Sequence, residues 1–119
     1  MREDALTRTR ALCLALPEAT EKPGQMVGFL VRGKTFAWFL DNHHGDERLA
    51  LWIKAAPGDQ DLLVTADPVR FFRPPYVGQH GWIGVRLDRD PDWDELAALI
   101  RDSYRLLAPK RLAASLANA

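Results

Sequence analysis

The spacing of apolar residues changes twice along this chain, and that change restricts the fold more than any other feature. From Glu3 to Leu16 the residues Leu6, Thr9, Leu12, Cys13 and Leu16 recur three and four apart, the mark of one helical face. Pro17 ends that helix. From Val27 the period falls to two. Val27, Phe29 and Val31 share one face of a strand, and beyond Gly33 the alternation predicts that Phe36, Trp38 and Leu40 do the same. Gly33 supplies the positive φ that a tight hairpin turn needs. After the polar loop "DNHHGDER", Leu49, Leu51 and Ile53 continue the pattern, and the short links favour antiparallel pairing.

"PGDQDLLVTADP" predicts a short helix begun near Pro57 to Asp59 and ended before Pro68, with Leu62, Leu63 and Ala66 as its apolar positions. A further strand follows, in which Ile83, Val85 and Leu87 alternate with Trp82, Gly84 and Arg86. The period then returns to helical in "DPDWDELAALIRDSYRLLAP", where Leu96, Ile100, Ser103 and Leu107 line one face and the first turn carries acids suited to the helix dipole. Pro109 breaks it, leaving "KRLAASLANA" as a short terminal helix or a frayed tail. Strands in the middle and helices at both ends predict an α+β fold. A single domain over 1–119 would hold an antiparallel meander with N- and C-terminal helices packed on one face.

Sixteen basic residues balance sixteen acidic ones, so no long-range field steers the molecule toward nucleic acid or anionic lipid. The single cysteine, Cys13, excludes a disulfide framework or a cysteine zinc site and suits a reducing cytoplasm. The apolar run near the N-terminus is too short for a signal peptide or a membrane span. The expectation is a cytoplasmic monomer without cofactor, metal or membrane partner.

If the series led by Leu49 and Ile83 faces the core, then Trp52 and Lys54, and Trp82 and Arg86, face the other way. Tryptophan and cation then stand together on two strands, a pairing able to stack on bases and neutralise phosphates. The alternative is that these tryptophans form a satellite core beneath the loop "RPPYVGQHGW" or the second helix. Between Pro68 and Leu87 no acid occurs, while Arg70, Arg73 and Arg86 are basic and His80 is a fourth candidate. The glycines at 78, 81 and 84 allow a ligand close approach, or serve turns and a bulge. His43, His44, Asp46 and Glu47 read as a polar hairpin tip, since adjacent side chains rarely converge on a metal. Asp90 to Glu95 have a sufficient role in capping. No phosphate loop, dinucleotide fingerprint, nucleophile elbow or zincin motif is present, so catalysis has no positive support.

Five segments, "LALPEATE", "VRGKTFAWF", "LALWIKAAPGDQDLL", "RFFRPPYVGQHGWIGVRLD" and "IRDSYRLLAPKRL", together resemble in order the signatures of the MmcQ/YjbR family, across nearly the whole chain. The resemblance implies an α+β fold of the CyaY/frataxin type with a double-wing arrangement of the sort used on DNA, and it implies no catalytic residues. Gly33 with Lys34, and the loop from Arg73 to Trp82, would be the wings. The first functional expectation is therefore a DNA-binding module using Arg32, Lys34, Lys54, Arg73, His80, Arg86, Trp52 and Trp82. The second is a module for a small molecule or protein, with an apolar cleft lined by Tyr76, His80 and Trp82.

Overall fold

The computed structural model describes residues 2–117. Its elements run α1 (Arg2–Leu14), β1 (Thr20–Lys22), β2 (Val27–Val31), β3 (Lys34–Asp41), β4 (Leu49–Lys54), α2 (Asp59–Ala66), β5 (Phe71–Phe72), β6 (Trp82–Arg86), α3 (Trp93–Leu107) and α4 (Lys110–Ala117). The strands form one antiparallel sheet in the order β1-β2-β3-β4-β6-β5. The α+β fold with helices on one face is as expected. The last segment is helical through Ala117, and 118–119 lie outside the described residues.

Two strands escape periodicity. β1 has three residues and β5 two, too few for an alternation to show. β1 is fixed by tertiary contact: Arg10 of α1 donates two hydrogen bonds to Glu21, at 2.8 and 2.9 Å. β5 pairs with β6 at the opposite edge, after the chain has passed through α2.

α1, α3 and α4 cover a core built from Phe29, Phe39, Leu51, Ile53, Ile83 and Val85 on the strands and from Leu6, Cys13, Leu96, Ile100 and Tyr104 on the helices. Cys13 is fully buried, and burial, with the charge of Glu21 adding to it, pushes its thiol pKa up. α3 starts where Asp92 caps it, accepting from the N–H groups of Asp94 and Glu95. In α2, Leu63 and Val64 face the core, whereas Leu62 is 69% exposed, contrary to its predicted apolar role.

The phase of β3 also departs from simple alternation. Phe29 pairs with Ala37 but Leu30 pairs with Thr35, so Phe36 is an extra residue in the ladder. This β-bulge turns Phe36 and Ala37 both into the core and sends Trp38 and Leu40 to the opposite face. Phe36, Trp38 and Leu40 therefore do not share a face. The bulge is held by Ser103, which donates to the Phe36 carbonyl at 2.7 Å and accepts from the Lys54 N–H at 2.9 Å. Tyr104 packs edge-on against Phe36 and donates to the Pro17 carbonyl at 2.6 Å.

One hydroxyl thus satisfies a carbonyl of β3 and an N–H of β4 from within the core. Ser103→Ala leaves both without that partner and is expected to cost about 1–3 kcal/mol. The urea midpoint checks this; a change of a few tenths of a kcal/mol would show that the bulge does not need the hydroxyl.

Candidate functional site

The sheet face opposite the helices has its own chemistry. The paired residues Lys22, Gly28, Trp38, Trp52, Gly84 and Phe72 cross it in one row, because directly opposed partners share a face. Leu40, Ala50 and Trp52 are buried here, with Met26, Trp38, Phe72, Val77 and Trp82 packed around them. Trp52 and Lys54, and Trp82 and Arg86, lie on this face, as strand alternation requires. Trp93, on α3, lies instead on the helix side with Arg8 over its ring.

Two glycines determine how the aromatic rings lie. A Cβ at Gly84 would come 2.3 Å from Cζ of Phe72 and 2.5 and 2.6 Å from the two Cε atoms. Three such similar distances put Gly84 beneath the face of the ring. Trp38 covers Gly28 in the same way, at 2.9 to 3.4 Å from three adjacent ring atoms. Of the three glycines flagged by the sequence, Gly84 is thus a seat for a ring, and Gly81 takes the positive φ of a turn.

Two loops fold onto the row. From the first, the imidazole of His43 stands edge-on to Trp52, with centroids 5.1 Å apart, and Arg48 places its guanidinium carbon 4.0 Å over the Phe72 ring. From the second, Val77 joins the aromatic cluster. Trp52 is left 3% exposed, and its indole N–H is buried without a hydrogen-bond partner among the described residues. Trp38, Phe72 and Trp82 are half-buried. Burial, aided by the neighbouring His44 and opposed by Asp46, lowers the pKa of His43. Among the described residues no group of three or more His, Cys, Asp or Glu is placed to hold a metal ion.

The predicted cations divide sharply. Arg32 is committed to Glu18 through two hydrogen bonds, Arg73 is paired with Asp61, and Arg86 with Asp88. Arg70 bridges Asp67 and Glu95. The stretch from Pro68 to Leu87 lacks acids in sequence, but Asp61 of α2, Asp67 just after it, Glu95 of α3 and Asp88, two residues past β6, supply them in space, so it makes no bare basic patch. Lys34 pairs with Val31, a fully buried core residue, and so sits on the helix side at the hairpin end, away from the tryptophans. Lys54 remains on the aromatic face with no ion pair among the described residues, as do Lys22 and Arg48.

The expected apolar cleft is not formed by the residues proposed for it. Tyr76 is 78% exposed and His80 is exposed too. The cleft beside this loop, about 540 Å³, lies against the start of α2 and is lined by Gly58, Gln60, Asp61, Arg73 and Gly78 among others, not by Tyr76, His80 or Trp82. Gln60 closes its inner side by donating to the carbonyls of Gly78 and Trp82.

The family model described as YjbR matches residues 14–106, which include every strand and most of α3. The chain belongs to the YjbR family. A solved structure, the Deinococcus radiodurans protein DR2400 with its DUF419 domain, is similar to this YjbR chain at 24% identity. It aligns over 85% of this chain and 76% of its own, with a TM-score of 0.71, a likeness of fold. No curated protein matches. No helix among the described residues is long and apolar enough to cross a membrane.

The Arg86–Asp88 pair gives this face an acid sensitivity. Burial pushes the Asp88 carboxyl up, but hydrogen bonds from Arg86 and from the Leu49 N–H outweigh it, and its pKa is lowered. Folding then favours the ionised form. That stabilisation is present above the ordinary aspartate value of about 3.9 and is lost as pH falls through the lower folded value. Asp88→Asn should remove this acid-dependent contribution, so the stability gap between wild type and variant narrows on acidification; a gap that is constant with pH would contradict the assignment.

Proposed function

We propose that this YjbR chain is a DNA-binding module that offers the helix-free face of its sheet to the nucleic acid and acts by binding, without catalysis. The observation that carries this is the coincidence on one face of the half-buried indoles of Trp38 and Trp82 with cations that have no carboxylate partner among the described residues, Lys22, Arg48 and Lys54. Rings of this kind contribute about 1–3 kcal/mol per stacked base, and the cations neutralise phosphates.

The contacts differ from those of a pair of basic wings. Arg32 and Arg73 sit at the proposed wing positions but are already paired, so they add little field of their own. Lys54, Trp82 and, as the buried support beneath them, Trp52 retain a place in the interface. Asp46 and Glu47 lie beside Arg48 in sequence and offset part of its charge. Binding should accordingly be weak, in the micromolar range or above that is usual for contacts without sequence readout.

Three neutralised phosphates predict that log K falls against log salt with a slope of about −2 to −3. Fluorescence anisotropy with labelled single-stranded and duplex DNA measures it. Lys22→Ala and Lys54→Ala should each flatten the slope by about one, whereas Arg32→Gln and Lys34→Gln should leave affinity within about two-fold, since Arg32 is already paired with Glu18 and Lys34 lies on the helix side of the sheet. No binding to either DNA form at low salt, or affinity indifferent to salt, would refute the proposal.

A further inference from the structure

Arg48 is held unlike the arginines around it. Arg32, Arg70, Arg73 and Arg86 each spend their donors on carboxylates, whereas Arg48 has no carboxylate partner among the described residues and is placed by an aromatic ring. The stack has three layers: the Gly84 backbone, the Phe72 ring and the guanidinium. Stacking covers one face of a guanidinium and leaves the N–H donors at its edge unused. The backbone that carries it is fastened as well. The Arg48 N–H donates to Asp46 Oδ1 at 2.9 Å, its carbonyl accepts from the Asn42 N–H at 2.8 Å, and Asn42 Oδ1 accepts from Glu47 at 2.9 Å.

A planar donor fork, fixed in position and spared a counter-ion, matches two oxygens of a phosphate. We infer that Arg48 is the residue that seats a phosphate oxyanion on the helix-free face, with Phe72 and Gly84 as the residues that position it. The inference rests on the DNA-binding proposal for its ligand, a phosphodiester, but it concerns a particular donor. A freely moving lysine could supply the charge and not the fork.

The test is a titration of ¹⁵N-labelled protein, followed at the Arg48 Nε–H signal, with a thymidylate oligomer of about 12 nucleotides and separately with inorganic pyrophosphate. A saturable shift is expected with both. Arg48→Lys, which keeps the charge, should weaken oligomer binding by about 5- to 10-fold, and Gly84→Ala, which displaces the Phe72 ring, should do likewise with the circular dichroism spectrum unchanged. If Gly84→Ala perturbs the fold, Phe72→Leu replaces it. Oligomer affinity of Arg48→Lys within two-fold of wild type, while Lys22→Ala and Lys54→Ala weaken it, would overturn the role of Arg48 and leave the DNA-binding face standing. If no oligomer binds, that face is refuted and pyrophosphate decides Arg48: a saturable Nε–H shift lost in Phe72→Leu supports the anion seat, and no shift removes it.

Discussion

The bulge at Phe36 is the constraint on which the two faces of this sheet depend. A strand with strict alternation from Lys34 would place Phe36, Trp38 and Leu40 together, and either the core would lose its large phenylalanine or the indole of Trp38 would be forced among the helices. One extra residue resolves this by moving the phase of the strand by one position. Phe36 and Ala37 both point inward, and everything after them is set: Phe39 to the core, Trp38 and Leu40 to the other side. The bulge exposes backbone groups that a regular ladder would pair. Ser103, a buried polar residue on α3, takes up that deficit from the core side. A helix whose apolar face carries a serine is therefore consistent with the sheet it covers.

The electrostatics follow a local rule. Equal numbers of acids and bases could have been segregated into opposite patches, but most arginines here meet a carboxylate within the same neighbourhood. Several of these pairs join elements instead of decorating one: Arg10 ties α1 to β1, and Arg70 ties the end of α2 to α3. Exposed pairs stabilise little individually, about 0–1 kcal/mol. Their larger effect is to offset each arginine's charge locally, and on the aromatic face Lys22, Lys54 and Arg48 are without such a partner among the described residues.

The sequence made the long elements legible and the local exceptions illegible. α3 could be read because its burial pattern, Leu96, Ile100 and Ser103, coincides with helical period and its cap is an aspartate. β4 and β6 could be read because each alternates cleanly, which also placed Trp52 and Trp82 on the face away from the helices. β1 and β5 could not, since two or three residues carry no period and their pairing is decided by tertiary contact. The extra residue in β3 left no sign in "KTFAWFL", where every second residue from Phe36 is apolar whether or not a bulge is present. Partnering of cations is likewise a property of space: Arg73 finds Asp61 across a loop, and nothing in the acid-free run from Pro68 to Leu87 foretells it. The roles of Arg48, Phe72 and Trp38 also depend on which residues stand opposite each other, and a register that sets Phe72 against Gly84 is what brings them out.

The aromatic face without helix cover has two kinds of surface, one sealed and one partly open. Trp52 is sealed to the point of leaving its indole N–H without a partner among the described residues, a burial cost of roughly 1–3 kcal/mol that the surrounding packing has to offset. The rings on either side of it are treated differently. Trp38 and Phe72 are laid flat on glycines, which a side chain at either position would prevent, and flat rings keep one face turned outward. On Phe72 that outward face is taken by Arg48; on Trp38 no cation is stacked among the described residues. If the face served only to complete the core, larger residues at Gly28 and Gly84 would bury more apolar area than the glycines do. Glycine at both positions instead holds two rings parallel to the sheet, and the proposed binding face depends on that geometry.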